Sequence, residues 1–270
     1  MESDQFDKIM RSFEWFHAVA VPPEQYIILR LDGRGFTKFT EAAGFEKPFD
    51  LGFSGLMRGA CDALVTEFDA VYGFTESDEI SVLLRREFDL YDREIEKLIS
   101  ISAGFVSSKF ASLAVRDFGW KEELPIAAFD CRIWFAGSQE RVVDYFRWRA
   151  ADAARCGLNS WAYWTLRKKD GLSKAQATSA LHGKGPAFKS DLLFQRGIKF
   201  NTLPAWQKYG VGFRWEEYDK QGINRKTGAQ TTAKRRRLIT DINLPMNDAY
   251  SQYLLCILQQ DEIARLKKKP

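Results

Sequence analysis

Tyr26-Ile27-Ile28-Leu29-Arg30-Leu31-Asp32-Gly33-Arg34-Gly35-Phe36 is the stretch on which the fold turns. Its apolar, β-branched first half predicts a strand over 26–32, ended by the turn that Gly33 and Gly35 permit. A second acidic turn, Glu76-Ser77-Asp78-Glu79, lies between Ala70–Phe74 and Ile80–Leu84. That pattern predicts strands at about 70–75 and 79–86 with the acidic residues as a hairpin tip. Between the two turns, Phe49, Phe53, Leu56, Met57, Ala60, Leu64 and Phe68 recur at spacings of three and four, which predicts a helix over 49–68. Ile95, Leu98, Ile99, Phe105, Val106, Phe110, Leu113 and Ala114 give the inner stripe of a second helix over 91–117. Pro125 opens a fourth strand, 126–135. The order β-α-β-β-α-β is the split βαβ, or ferredoxin-like, arrangement, and the fold class is α+β. Its first and third strands lie antiparallel at the sheet centre. Asp32, leaving one, and Asp78, just before the other, therefore reach the same edge.

Two carboxylates that close repel unless a cation lies between them. Hard oxygen ligands of this kind suit Mg²⁺, commonly held by one or two carboxylates plus substrate phosphates. The glycines after Asp32 leave room for a phosphate chain against the backbone. Together these features point to a two-metal nucleotidyl-transfer site.

The chain has 270 residues, 45% hydrophobic and 28% charged, with a net charge of +4. That suffices for one large domain or two small ones. We divide it into a catalytic domain, 1–136, and a helical and β-hairpin region, 137–270, packed on it. Ser138 caps a helix through about 155, another covers 159–168, and Ser173–Gln176 forms a capping box. Strands at 211–217 and 235–242 flank a long hairpin tip at 218–234. Residues 223–238 hold six basic residues and no acidic one, and Lys267–Lys269 close the chain. Such a run is a solvated loop or a phosphate-backbone contact. On the second reading, Arg225, Lys226, Arg235, Arg236 and Arg237 touch RNA. Cys61, Cys131, Cys156 and Cys256 lack zinc-site spacing, and two histidines exclude a histidine-rich metal site. No apolar run approaches a membrane span and the acidic N-terminus lacks a signal-peptide core, so we expect a cytoplasmic protein with no membrane partner.

Arg30–Phe36, Phe45-Glu46-Lys47-Pro48-Phe49-Asp50 and Glu76–Ser81, in this order and spacing, resemble the tRNA-histidine guanylyltransferase family. The similarity continues through Asp144–Arg149, Leu172–Gln176 and Leu192–Phe194, covering about residues 5–215. The resemblance implies a polymerase-like palm that adds nucleotides to RNA 5′ ends in the 3′→5′ direction. It implies that Asp32, Asp78 and the Gly33 carbonyl bind two Mg²⁺ ions, and that the backbone of Gly33, Arg34, Gly35 and Phe36 cradles a triphosphate. Lys47, Asp50 and Ser77 match positions around the activating nucleotide, ATP or GTP. Lys97 matches a basic position near the incoming triphosphate, Glu79 supports the metal-binding Asp, and Lys189 matches a lysine associated with RNA. The resemblance also implies tRNA as substrate and a homotetramer, a dimer of dimers. Eukaryotic members carry His-Ile-Asn-Asn-Leu-Tyr-Asn where this chain has Arg155-Cys156-Gly157-Leu158-Asn159-Ser160-Trp161. This is similar to the bacterial and archaeal guanylyltransferase-like branch, whose members resemble template-dependent enzymes that rebuild truncated tRNA 5′ ends.

Other readings of the same residues stay open. A dedicated guanylyltransferase would add a single G to tRNA-His. A nucleotide cyclase can share the palm and its carboxylates. A nonenzymatic RNA-binding protein would have no use for both aspartates and the glycine turn.

Overall fold

The first four residues of strand β1 (Tyr26–Arg34) are buried without alternation, because helices cover both faces of the sheet it centres. The computed structural model describes residues 3–119, 123–223 and 228–266. Helix α1 (Ser3–Arg11) and an exposed segment with Phe13, Trp15 and Phe16 precede β1. After it come α2 (Phe36–Ala42), α3 (Leu51–Glu67), β2 (Tyr72–Glu76), β3 (Glu79–Leu83), α4 (Ile95–Phe118) and β4 (Ala128–Ala136). The second half holds α5 (Gln139–Lys168), α6 (Lys174–Leu181), α7 (Pro186–Gln195), α8 (Trp206–Tyr209), β5 (Val211–Ile223), β6 (Gln230–Asp241) and α9 (Asp248–Leu266).

All six strands form one antiparallel sheet in the order β4-β1-β3-β2-β5-β6, so the class is α+β. Alternation along β1 sends Ile27, Leu29 and Leu31 into a core with Leu56, Met57, Val106 and Phe110 from α3 and α4. Tyr26 and Ile28 point the other way, into a second core with Val142 and Phe146 of α5 and Leu254 of α9. Arg30 and Asp32 continue this second face toward the strand's end.

The structure corrects four expectations. The helices expected at 138–155 and 159–168 are one continuous α5 of 30 residues. Gly157 does not break it; a Cβ there would stand 2.6 Å from the carbonyl oxygen of Gln207, so glycine serves the close approach of α8. The expected tip at 218–234 is mostly paired strand, with register running from Gly212↔Asp241 to Ile223↔Gln230. Only Val211–Arg214 also pair with β2, so the rest projects as a two-stranded ribbon. The helix expected from 91 begins at Ile95, after a tight turn in which Tyr91 and Asp92 take left-handed φ. Finally, α4 is 24 residues long and contains an 18-residue window of mean hydropathy 1.5, long and apolar enough to cross a membrane. Its inner residues Leu98, Val106, Phe110 and Leu113 are packed in the first core. The Ser138 cap and the Ser173/Gln176 capping box form as expected.

Candidate active site

The register places four carboxylates in a row across the end of the sheet. Asp130 of β4 stands opposite Asp32 of β1, Asp32 opposite Glu79 of β3, and Glu79 opposite Glu76 of β2. Directly opposed residues lie on one face of a sheet, close enough for their charges to interact. Ser77 and Asp78 form the two-residue turn that joins Glu76 to Glu79, with Ser77 at φ 48°. The Gly33 amide donates to the Asp78 carbonyl at 3.0 Å, tying the end of β1 to this turn. A Cβ at Gly33 would meet the Phe36 ring at 2.5 Å and Asp78 Cβ at 2.9 Å. Only glycine lets the two acidic segments come this near. Phe36 is buried among Phe39, Phe53, Phe110 and Phe129. It thereby anchors α2, whose N-cap Gly35 at φ 72° offers no side-chain cap to the helix's first amides.

Burial, and next the neighbouring Asp32 carboxylate, push Asp78 up, while its own backbone amide, Ser77 and Lys47 pull it back. Among the described residues no group of three or more His, Cys, Asp and Glu side chains forms a metal cage. A Mg²⁺ ion held by two carboxylates and substrate phosphates needs no such cage. The donor set fits this ion. Asp32 is exposed, Asp78 is strained upward beside it, and the glycine-lined approach leaves space for phosphate oxygens.

The turn is held from beneath by Arg149 of α5. Its guanidinium, 5% exposed, donates to Glu79 Oε1 at 2.6 Å, Glu76 Oε1 at 3.2 Å and Asp152 Oδ2 at 3.1 Å. It thus grips both residues that flank Ser77-Asp78. The ring of Trp148 lies against it, 4.6 Å from centroid to guanidinium carbon. Burial raises Glu79 although Arg149 and Arg30 draw it down. Glu76, more deeply covered and beside Glu79, is pushed up to about 8 against the pull of Arg149.

A cavity of about 160 Å³ opens beside the turn. Lys47, Asp50, Ser77 and Asp78 line one part of it; Ala153, Cys156, Gly157 and Ser160 of α5 and Gln207 of α8 line another. Lys47 donates from Nζ to Thr40 Oγ1, and burial lowers its pKa despite Glu41, Asp78 and Asp50 nearby. Both carboxylate oxygens of Asp50 are engaged by backbone, Oδ1 with the Phe53 amide and Oδ2 with the Glu46 amide, each at 2.9 Å. Asp50 thereby caps α3 and shapes the loop that presents Lys47.

Lys97 is not brought here. It lies in the first turn of α4, where β1 begins and β3 ends, and pairs with Glu94 at 2.8 Å. Lys189 sits on α7, which packs on α5 away from this cavity. Arg34 is exposed at the end of β1. On the ribbon, Arg236 is held by Asp69 and the Trp215 ring, and Arg237 by Glu216 and the Tyr218 ring. Arg235 is exposed, and no salt bridge to it occurs among the described residues. Arg225 and Lys226 lie outside the described residues.

Residues 7–136 match the family model described as tRNAHis guanylyltransferase, and residues 140–247 match the Thg1 C terminal domain. The chain belongs to the tRNA-His guanylyltransferase family. A probable guanylyltransferase of this family from Drosophila melanogaster is 35% identical over 216 residues, covering 78% of this chain and 73% of the relative. The Debaryomyces hansenii enzyme is 31% identical, over 80% and 83% of the two chains. Among solved structures, the guanylyltransferase of Saccharomyces cerevisiae superposes with a TM-score of 0.69 at 29% identity, over 75% of this chain and 90% of that one. A bacterial guanylyltransferase-like protein in complex with ATP superposes with a TM-score of 0.72 at 25% identity, over 93% and 97%.

Sequence reasoning assigned no role to Arg149, Glu76, Asp130 or Gln207 within this family site. Arg149 carried two signals, its place in the Asp144–Arg149 stretch that resembles the family and its spacing of three from Asp152 on a helix. Asp130 could be found only once the β1–β4 register was known. Nothing in the sequence marks Gln207.

Proposed function

We propose that this chain adds nucleotides to the 5′ end of truncated tRNA in the 3′→5′ direction, each chosen by pairing with the opposing base. As a member of the guanylyltransferase family it is a nucleotidyltransferase. The observation that carries the reading is the β1–β3 register, which sets Asp32 across from Glu79 and beside the Ser77-Asp78 turn at the mouth of a cavity lined by Lys47. The ATP complex of the bacterial relative supports a nucleoside triphosphate as substrate, which this reading places in that cavity. We read β1–β4 with α3 and α4 as a ferredoxin-like polymerase palm, supported by the strand order β4-β1-β3-β2. The division into palm and RNA-binding region at 136/137 is supported by the two family models meeting there.

In this reading a 5′-monophosphate oxygen of the RNA attacks the α-phosphorus of ATP or GTP, and pyrophosphate leaves. The 3′-hydroxyl of the incoming nucleotide then attacks the RNA 5′ phosphorus, its proton passes to solvent, and NMP leaves. An RNA with a 5′-triphosphate enters at the second step and releases pyrophosphate. Asp32, Asp78 and the Gly33 carbonyl would hold two Mg²⁺ ions, which orient the attacking oxygen and offset charge on the leaving group when bound. Lys47 and Ser77 hold phosphate oxygens beside them. The first amides of α2 face the same phosphates, where a helix N-terminus favours negative charge. Arg149 fixes the turn so that Asp78 is in place before substrate arrives. Arg235, Lys189 and the basic residues of the ribbon contact tRNA phosphates. A homotetramer belongs to the same reading, and the exposed Phe13, Trp15 and Phe16 support a protein–protein contact there.

A second reading, addition of a single G to tRNA-His, is favoured by relatives of 31–35% identity that bear that name. The deciding assay supplies tRNA lacking its 5′ nucleotide, as 5′-monophosphate and 5′-triphosphate, with Mg²⁺ and each NTP in turn. Addition that follows Watson–Crick pairing supports the polymerase. Addition of G whatever the opposing base supports the guanylyltransferase. NTP consumption into a cyclic product with no RNA extension would overturn both.

A further inference from the structure

The cavity beside the acidic turn is lined by both polar and apolar groups. Lys47, Ser77 and Asp78 are among the first; Met57, Ala153, Val211, Phe49 and Trp206 are among the second. Phe49 and Trp206 meet edge to face, with centroids 5.9 Å apart. Gln207 follows Trp206 on α8. Its backbone is locked, because its carbonyl packs on Gly157 where no Cβ could fit. Its side chain is not satisfied: Oε1 is buried and has no hydrogen-bond partner among the described residues. Gln207 also lines the adjoining cleft of about 510 Å³, so it stands at the junction of the two spaces.

A buried acceptor with no partner is costly, and native proteins rarely keep one unless a ligand supplies the missing donor. Here the partners of the triphosphate are already defined as Lys47 and the acidic turn. What reaches the other end of a bound nucleoside triphosphate is its base. A base lies flat on aromatic and aliphatic walls and offers donors and acceptors at its edge. A glutamine amide carries both an acceptor and two donors, and its last torsion has two broad, nearly equivalent settings.

We propose that Gln207 reads the edge of the activating nucleotide's purine, and that its amide, by turning over, accepts adenine and guanine alike. With oxygen toward the ligand it accepts a hydrogen bond from the adenine amino group or from guanine N1 and N2. With nitrogen toward the ligand it donates to adenine N1 or guanine O6. This proposal rests on the nucleotidyltransferase reading of the cavity, and it makes Gln207 a purine-binding residue for the activation step alone.

The test uses the full chain with Mg²⁺ and the two RNA forms described above. ATP and GTP binding is also measured by calorimetry without RNA. The native protein is expected to bind and use ATP and GTP within about threefold of each other. Gln207→Leu leaves no edge partner, and a site built to hydrogen-bond its substrate loses at least about tenfold when that partner is gone. Its kcat/KM on 5′-monophosphate RNA should fall at least tenfold further than on 5′-triphosphate RNA, which skips activation. Gln207→Glu accepts only; guanine has two protons to give it and adenine one, so the ATP-to-GTP ratio should move about tenfold toward GTP. A ratio unchanged in Gln207→Glu, or equal losses on both RNA forms in Gln207→Leu, would overturn the assignment. If the native protein extends neither RNA, the functional reading fails. The calorimetric ATP-to-GTP ratios then still decide whether Gln207 reads the base.

Discussion

Replacing Arg149 with alanine should cost this protein much of its stability, and the structure says why. Three carboxylates share the guanidinium, at 2.6, 3.1 and 3.2 Å. Asp152 is the least exposed to its loss, because Arg155 also bonds it. Glu79 would keep only Arg30, at 4.0 Å, and no second salt bridge is formed by Glu76 among the described residues. Both are nearly buried, at 12% and 10% side-chain exposure. Removing one partner of a buried ion pair costs about 3–5 kcal/mol, chiefly through the charge left unpaired; here that charge is Glu79's, because Glu76, pushed up to about 8, is largely protonated at pH 7. In a chain of this size each kcal/mol moves the melting temperature by roughly 2–4 °C. Arg149→Ala should therefore melt about 10 °C below the native protein at pH 7 in the absence of Mg²⁺. Removing the acids as well, in Arg149→Met/Glu76→Gln/Glu79→Gln, should recover most of that loss, since no buried charge is then stranded. Thermal unfolding followed by circular dichroism and urea titration both measure this. A single variant within 1 °C of the native protein, or a triple variant worse than the single, would refute the reasoning.

Asp32→Asn should abolish addition to both RNA forms yet stabilise the metal-free protein by roughly 0.2–1 kcal/mol, because Asp130 and Glu79 oppose Asp32 across the sheet; urea titration with and without Mg²⁺ checks both halves, and Mg²⁺ should stabilise the native protein only. Arg235→Ala should weaken tRNA binding and lower the slope of log affinity against log salt by about 0.7–0.9, as filter binding over a salt series would reveal. Arg236→Ala should instead lower the melting temperature, since Arg236 ties the ribbon to Asp69. Of the four thiols, exposed Cys256 should alkylate first at pH 8. Burial pushes the Cys131 thiol up to about 11, so it stays protonated and inert until the protein unfolds or the pH nears that value. Cys156, half-buried on the cavity wall, should be shielded by ATP; mass spectrometry of the alkylated peptides reads all three.

The parts of this molecule legible in the sequence are those fixed by short-range chemistry. The strand that carries Asp32, the Ser77-Asp78 turn and the capping box at Ser173 all carry local signatures, and each appears in the structure, although the strand runs on through Gly33 to Arg34 instead of ending at 32. Gly157 shows the limit of local reading. Nothing in its own stretch announces its neighbour, Gln207, fifty residues away in sequence. The acidic row fails for a similar reason. Asp32 and Asp78 were paired because topology alone predicts it, while Asp130 joins them through a register that no local pattern encodes. The ribbon was underestimated because its exposed, charged residues 218–223 and 230–236 lack the apolar alternation of a half-buried strand.

The pairing of β5 with β2 gives the second half of the chain a duty toward the first. Tyr72–Thr75 would otherwise be the rim of the sheet, with the backbone groups that face β5 unpaired. An apolar rim with unpaired amides invites another chain to add a strand. A fragment ending after Ala136 would therefore keep Asp32, Asp78 and Lys47 and still come out of the cell as aggregate, since Val211–Arg214, which seal that rim, and α5 and α9, which cover Tyr72 and Phe74, all lie beyond the cut.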